Sequence, residues 1–360
     1  YLPVGEVYFD TLLAELEKAE KFIFMEYYII APGTMWNAIH EVLRRKAESG
    51  VDVRVMYDDF GCMYKLPEGY EDTLEAEGIR CCVFNRFIPI LSPRFNNRDH
   101  RKIACIDGDV AYTGGVNIAD EYANIIERFG YWKDSGVCLE GEGAWGLTAS
   151  FIRMCVNLGG VMHNEHDYYR PHTPVKSEGF CQPFTDGPQN NPDNPAEDVF
   201  LQMISGARRF LYITTPYFIP DESLMRALCI AGDGGVDVRL MLPGKPDHWY
   251  ADCVAESYFG ELIKHGVKVY RYTPGFLHGK SIMVDREAAF VGSANMDYRS
   301  FELDYECGVM VYSAPMIESL LEDMDMIVDH SRLVTKEEWA KRSVLRRVFE
   351  PLLRLFAIWM

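Results

Sequence analysis

Asn97-Arg98-Asp99-His100-Arg101-Lys102-Ile103-Ala104-Cys105-Ile106-Asp107 carries a His-x-Lys-x4-Asp pattern, and Phe276-Leu277-His278-Gly279-Lys280-Ser281-Ile282-Met283-Val284-Asp285 carries it again. In both copies an Asn follows the His by 17 residues and closes a small-residue turn, Gly114-Gly115-Val116-Asn117 and Gly292-Ser293-Ala294-Asn295. Recurrence at identical spacing marks an internal repeat. The repeat extends outward from the motifs. Gly50-Val51-Asp52-Val53-Arg54 returns letter for letter as Gly235-Val236-Asp237-Val238-Arg239, and the apolar run 21–29 is mirrored by 209–219.

Helical spacing covers 6–20 and 36–49, then 196–208, 221–231 and 248–265. Buried-type strands fit 22–29, 53–57, 80–85 and 102–107, and again 210–218, 237–242, 267–273 and 280–285. Alternating strand and helix predicts α/β layers. The doubled order predicts two halves related by a pseudo-twofold, with one cleft between them. The predicted boundaries are 1–162 for the first half, 163–195 for a His-, Pro-, Asn- and Asp-rich linker, 196–332 for the second half, and 333–360 for a basic C-terminal helix.

Composition narrows the function. The chain has 360 residues, 48% hydrophobic and 25% charged, which describes a globular protein with more than one core. A net charge of −18 argues against nucleic-acid partners, which require clustered Lys and Arg. Ten cysteines without regular spacing read as reduced, mostly buried thiols. The linker histidines His163, His166 and His172 have no cysteine at ligand spacing, so no metal or other cofactor is expected. Gly275 to Ser281 imitates a phosphate-binding loop but is one residue short between its glycines.

The motif residues suit attack on a phosphodiester. Side chains at i and i+2 of a strand share a face, so His100 with Lys102, and His278 with Lys280, point together. One imidazole can attack phosphorus while the other handles the proton of the alcohol. Lys102, Lys280, Asn117 and Asn295 would surround the nonbridging oxygens. Each imidazole needs an acceptor on its other nitrogen. Glu306, 28 residues after His278, and Asp134, 34 residues after His100, are the candidates. Asp107 and Asp285 fall at an odd offset from the Lys and read as structural, fixing a strand end.

The two motifs, the stretch Tyr112 to Tyr122, Thr215-Pro216-Tyr217-Phe218-Ile219-Pro220-Asp221 and Gly244-Lys245-Pro246-Asp247-His248 together resemble the phospholipase D superfamily, and within it bacterial cardiolipin synthase. The resemblance covers nearly the whole chain. Asp99 stands where that family usually has Asn. The resemblance implies twinned α-β-α sandwich halves and phosphatidyl transfer between two phosphatidylglycerol molecules. It implies His100 as nucleophile and His278 as acid/base, though the residues alone treat the two symmetrically. Hydrolytic phospholipase D and phosphatidylserine synthase share the same motifs, and a lipid-surface binding protein is the non-catalytic alternative. Tyr27, Tyr28, Tyr217, Phe218, Trp249, Lys245 and His248 are candidate cleft or substrate residues.

A lipid substrate implies a membrane surface. Family members carry N-terminal membrane helices, and this chain opens at Tyr1 with no apolar run of about 18 residues, so truncation is the simplest expectation. The expected location is the cytoplasmic face of the cell membrane. Two stretches suit an anionic interface. Residues 331–360 hold seven Lys/Arg against three Glu, with Arg346 and Arg347 beside Phe349 and Phe356 at helical spacing. Phe87, Ile88, Ile90 and Leu91 form an apolar loop just before His100. Packing of either stretch on its own domain is the competing reading.

Overall fold

A computed structural model describes residues 1–86, 96–163, 167–189, 193–342 and 353–355. Two mixed sheets carry the same topology. The first runs Arg80–Phe84, Asp52–Asp58, Phe22–Tyr27, Lys102–Ile106, Val110–Gly114, Gly136–Glu140. The second repeats that order with Lys268–Tyr272, Asp237–Pro243, Phe210–Thr214, Ser281–Val284, Ala288–Gly292, Asp304–Tyr312. Phe22–Tyr27 is buried at every position because both sheet faces are covered, which explains a run that is apolar except for the buried Glu26.

Helices Gly5–Leu16 and Thr34–Glu48 cover one face of the first sheet, and Pro195–Gly206, Glu222–Asp233 and Trp249–Lys264 cover the matching face of the second. Between the sheets lies a third apolar layer drawn from both halves. Phe22, Phe24, Cys105, Val137 and Phe151 pack there with Met283, Val291, Val309, Leu320 and Met324. This shared layer joins the halves into one body. The arrangement is the doubled α/β fold expected.

Three elements differ from what the sequence predicts. Residues 163–195 are not merely connecting: Phe180–Asp186 is a strand paired antiparallel to Asp304–Tyr312 in the second sheet. Its Pro183 hid it, and an edge position tolerates proline because one side of the strand is unpaired. The expected strand 210–218 stops at Thr214, ahead of Pro216; Phe218–Ile219 then pairs separately with Met296–Asp297. Helices Glu142–Asn157 and Met316–Asp329, which fill the layer between the sheets, were not anticipated.

At the C-terminal end a short helix, Lys336–Ala340, starts with a Thr335/Glu338 capping box. Leu353 packs on the second-half core, and the Arg354 guanidinium lies 4.0 Å from the Tyr258 ring centroid. Arg346, Arg347, Phe349 and Phe356 lie outside the described residues, as do Phe87, Ile88, Ile90, Leu91 and His166. Among the described residues no helix is long and apolar enough to cross a membrane.

Candidate active site

The two motif histidines are placed by a reciprocal strand exchange. Arg98–Asp99 pairs parallel with the second half, Arg98 opposite Asp304 and Asp99 opposite Tyr305. The next residue, His100, donates its backbone N–H to Tyr305 O at 2.9 Å. Gly275–Leu277 pairs parallel with Tyr131–Lys133 of the first half, and His278 donates its N–H to Lys133 O at 2.7 Å. In each case the residue following the acceptor carbonyl is an acid. His100 Nδ1 therefore lies 2.9 Å from Glu306 Oε1, and His278 Nδ1 lies 2.6 Å from Asp134 Oδ2. Each acid serves the histidine of the opposite half.

The two carboxylates are held differently. Glu306 accepts from Ser293 Oγ, and from Ser300 Oγ at 2.8 Å. Burial pushes its pKa up to about 7. Burial also acts to raise Asp134, but His278, Lys280 and the Ser135 N–H outweigh it and hold the acid at about 2. Both imidazoles stay neutral. Burial, then Lys102 and Lys280, push His100 well below its ordinary value. Burial and Lys280 lower His278 to about 4, with Asp134 opposing the fall.

Lys102 donates to His100 O. Lys280 Nζ donates to His278 O at 2.6 Å and lies 3.0 Å from His278 Nε2. Burial lowers Lys102 to about 8 and Lys280 to about 7. Asn117 Oδ1 accepts from Ile29 N at 3.0 Å, and its Nδ2 donates to Tyr122 OH at 2.9 Å. Asn295 Oδ1 is buried without a partner.

His100, His278, Asn117 and Asn295 share the wall of one cavity of about 780 Å³ with Tyr28, Tyr122, Tyr217 and His248. Lys102 and Lys280 stand behind the imidazoles and do not themselves line it. Tyr28 meets the His100 ring edge-on at 5.1 Å, and Tyr122 meets the His278 ring at 5.5 Å. Tyr217 OH donates to Asp247 at 2.5 Å.

Some expected residues fall elsewhere. Tyr27 is a core residue that hydrogen-bonds Tyr8 OH at 2.9 Å, so it is corrected from substrate contact to packing; strand alternation turns Tyr28 to the cavity instead. Phe218 is likewise buried in the second-half core, while Trp249 is 68% exposed and off the cavity wall. Lys245 is exposed near Gly130 and does not line the cavity. Tyr122, Ser293 and Ser300 join the site without belonging to the His-x-Lys pattern or its Asn. Ser293 and Tyr122 lie inside the quoted signature stretches, which was the available signal; Ser300 had none.

Asp107 and Asp285 sit on the far side of their strands. Asp107 accepts from Glu20, Lys21 and Phe22 backbone N–H groups, each at 2.8 Å. Asp285 accepts in the same way from Arg208, Arg209 and Phe210. No group of three or more His, Cys, Asp or Glu side chains is arranged to hold a metal among the described residues.

Two α/β halves of one topology, each delivering a His-x-Lys motif to a single cavity, define the phospholipase D class of enzyme. Residues 12–125 and 200–328 match the family described as cardiolipin synthase, PLD-like domain. A cardiolipin synthase of Geobacillus kaustophilus is 37% identical over 98% of this chain and 70% of its own length. An uncharacterised protein of Streptococcus mutans is 39% identical, over 99% of this chain and 77% of its own. The solved phosphatidylserine synthase of Haemophilus influenzae shares the fold, with a TM-score of 0.72 at 16% identity over 99% of this chain and 92% of that one. The chain belongs to the cardiolipin synthase, PLD-like family and is a phosphatidyltransferase of the phospholipase D superfamily.

Proposed function

We propose that this chain joins two phosphatidylglycerol molecules into cardiolipin and releases glycerol, through a phosphatidyl-histidine on His100. The observation that carries the reading is the pair of imidazoles on one cavity wall, each bound at Nδ1 by a buried carboxylate. An Nδ1–H given to the acid leaves Nε2 as the reactive nitrogen. His100, neutral and surrounded by positive charge, suits the nucleophile. His278, whose Asp134 partner stays ionised, keeps more basicity and suits the acid/base.

In the first step His100 Nε2 attacks phosphorus and the bond from phosphorus to the glycerol oxygen breaks. His278, protonated once the diester anion is bound, gives its proton to that oxygen. In the second step His278 takes the proton of a primary hydroxyl on a second phosphatidylglycerol. That oxygen attacks phosphorus and the phosphorus–nitrogen bond breaks. One diester replaces another, so the exchange is close to isoenergetic and calls for no nucleotide. Asn117 and Asn295 stabilise the nonbridging oxygens by contact, each contributing about 3 kcal/mol in the transition state, and Lys102 and Lys280 add their charge from behind the imidazoles. Tyr28, Tyr122 and Trp132 limit water at the intermediate. The enzyme works at an anionic membrane surface, on the cytoplasmic face of the cell membrane.

Purified protein incubated with phosphatidylglycerol in mixed micelles should yield cardiolipin and glycerol. Phosphatidic acid as the sole lipid product would make the protein a hydrolase instead. Quenching in denaturant at neutral to mildly alkaline pH, where a phosphorus–nitrogen bond persists, followed by peptide mapping should place the adduct on His100, and an adduct on His278 would invert the two roles.

A further inference from the structure

The cavity wall carries two cationic side chains that the paired motifs do not account for. Among the described residues on its wall, Arg98 and Arg299 are the only permanent cations, and neither belongs to a His-x-Lys motif. Arg98 lies two residues before His100, with Nη1 3.6 Å from Asp58. Arg299 is on the short helix Tyr298–Glu302, which leads into the Glu306 strand. Its Nη2 lies 3.2 Å from Asp304 and donates to Asn96 O at 2.7 Å. Both arginines flank the His100 side of the cavity. Their charges, with those of Asp58 and Asp304, act on the Tyr28 hydroxyl, and the Tyr28 ring touches His100. Arg299 also acts on His100 itself.

Three carboxylates share this wall: Asp247, Asp297 and Asp304. Asp304 pairs with Arg299, and Asp58, off the wall, pairs with Arg98, so these acids hold the guanidinium groups in place. Burial pushes Asp297 up to about 6 and Asp304 well above the carboxylate range, and it also raises Asp58, the partner of Arg98, to about 6. Guanidinium keeps its charge under the same burial. Asp247 is engaged by the Tyr217 hydroxyl. The wall thus presents two guanidinium groups, each fixed by a carboxylate, beside hydroxyl-binding acceptors.

The proposed reaction supplies a ligand for such a region. While the first phosphatidyl group is on His100, its phosphate fills the His, Lys and Asn site. The acceptor lipid brings a second phosphodiester anion, separated from the attacking hydroxyl only by a glycerol unit, and it must enter the same cavity. We infer that Arg98 and Arg299 form a second anion subsite that holds the acceptor phosphatidylglycerol's phosphodiester and so favours a lipid acceptor over water or a neutral alcohol. This rests on the transfer reaction proposed above.

The test is a product ratio, which an unfolded fraction of enzyme does not alter. The full chain is given phosphatidylglycerol vesicles and labelled glycerol. Cardiolipin, phosphatidic acid and labelled phosphatidylglycerol are measured together. Loss of a charge-assisted contact predicts that Arg299→Gln lowers the cardiolipin to phosphatidic acid ratio by about tenfold or more. The labelled phosphatidylglycerol to phosphatidic acid ratio should hold, because glycerol carries no phosphate. Arg299→Lys should fall between wild type and Arg299→Gln, and Arg98→Gln should behave like Arg299→Gln. An unchanged cardiolipin ratio in Arg299→Gln, or equal losses with both acceptors, would overturn the subsite while leaving the transfer reaction intact. A wild-type protein that makes no cardiolipin would remove the reaction and the subsite together, and that is read before any variant.

Discussion

At the scale of single residues, the two motifs are copies in sequence but not in electrostatics. Asp134 is held at about 2 by an imidazole, an ammonium and a backbone N–H, whereas burial carries Glu306 to about 7. The lysines are the groups that limit the alkaline side. Burial leaves Lys280 at about 7 and Lys102 at about 8, so both are charged in mildly acidic solution and lose their protons as pH rises through those values. The profile of kcat/KM for phosphatidylglycerol, which reports groups of the free enzyme, should therefore fall above pH 7 to 8. Lys280→Arg keeps its charge throughout this range, so it should move the alkaline limb upward even if the maximal rate drops. A limb that stays in place would mean that Lys280 titration does not govern it.

At the scale of elements, the repeated Asp is an anchor for the central strand of each half. Asp285 ends Ser281–Val284 and binds three consecutive N–H groups at the entry of Phe210–Thr214. These bonds lower the carboxyl below its ordinary 3.8 against the effect of burial, so the stabilisation is present at neutral pH and lost only as pH falls through that lowered value. Asp285→Ala should cost about 3 kcal/mol, since three charge-assisted bonds to part-buried N–H groups are lost together. A Tm fall of roughly 3–5 °C by differential scanning fluorimetry would match it. The adjoining turns provide an internal comparison. Asp107-Gly108 and Asp285-Arg286 both take positive φ, and only the first puts glycine where glycine is favoured. Arg286→Gly should raise stability by about 1 kcal/mol in urea unfolding, and a loss would show that the Arg286 side chain outweighs its backbone strain.

At the scale of the whole molecule, neither half holds a complete dyad. Each histidine is hydrogen-bonded at its backbone to a strand of the other half, and the acid one residue further along meets its ring. A consequence is visible without any substrate. In proton NMR of histidine-labelled protein, Glu306→Gln should weaken or remove the downfield Nδ1–H signal of His100 and leave that of His278. Asp134→Asn should do the converse. Loss of the His278 signal in Glu306→Gln would mean that each acid orients the histidine of its own half. The shared apolar layer between the sheets holds this alignment, because a small rotation of one half would separate both pairs at once.

Much of this was legible in the chain. The doubled motif and the letter-for-letter Gly-Val-Asp-Val-Arg predicted two similar units, and buried apolar runs located the central strands. These features are local: periodicity and spacing report them directly. The parity of Tyr27 and Tyr28 was not legible, because it depends on which sheet face looks into the cavity. Nor was the strand hidden in the proline-rich connection, which is specified by its partner rather than by its own residues. Sequence alone determined the chemical groups available and the twofold repetition of the architecture. Tertiary structure decided which acid meets which histidine, and which arginines join them in the cavity. Those contacts arise from short parallel strands exchanged between distant parts of the chain, and hydrogen bonding across such a separation leaves no periodic trace along it.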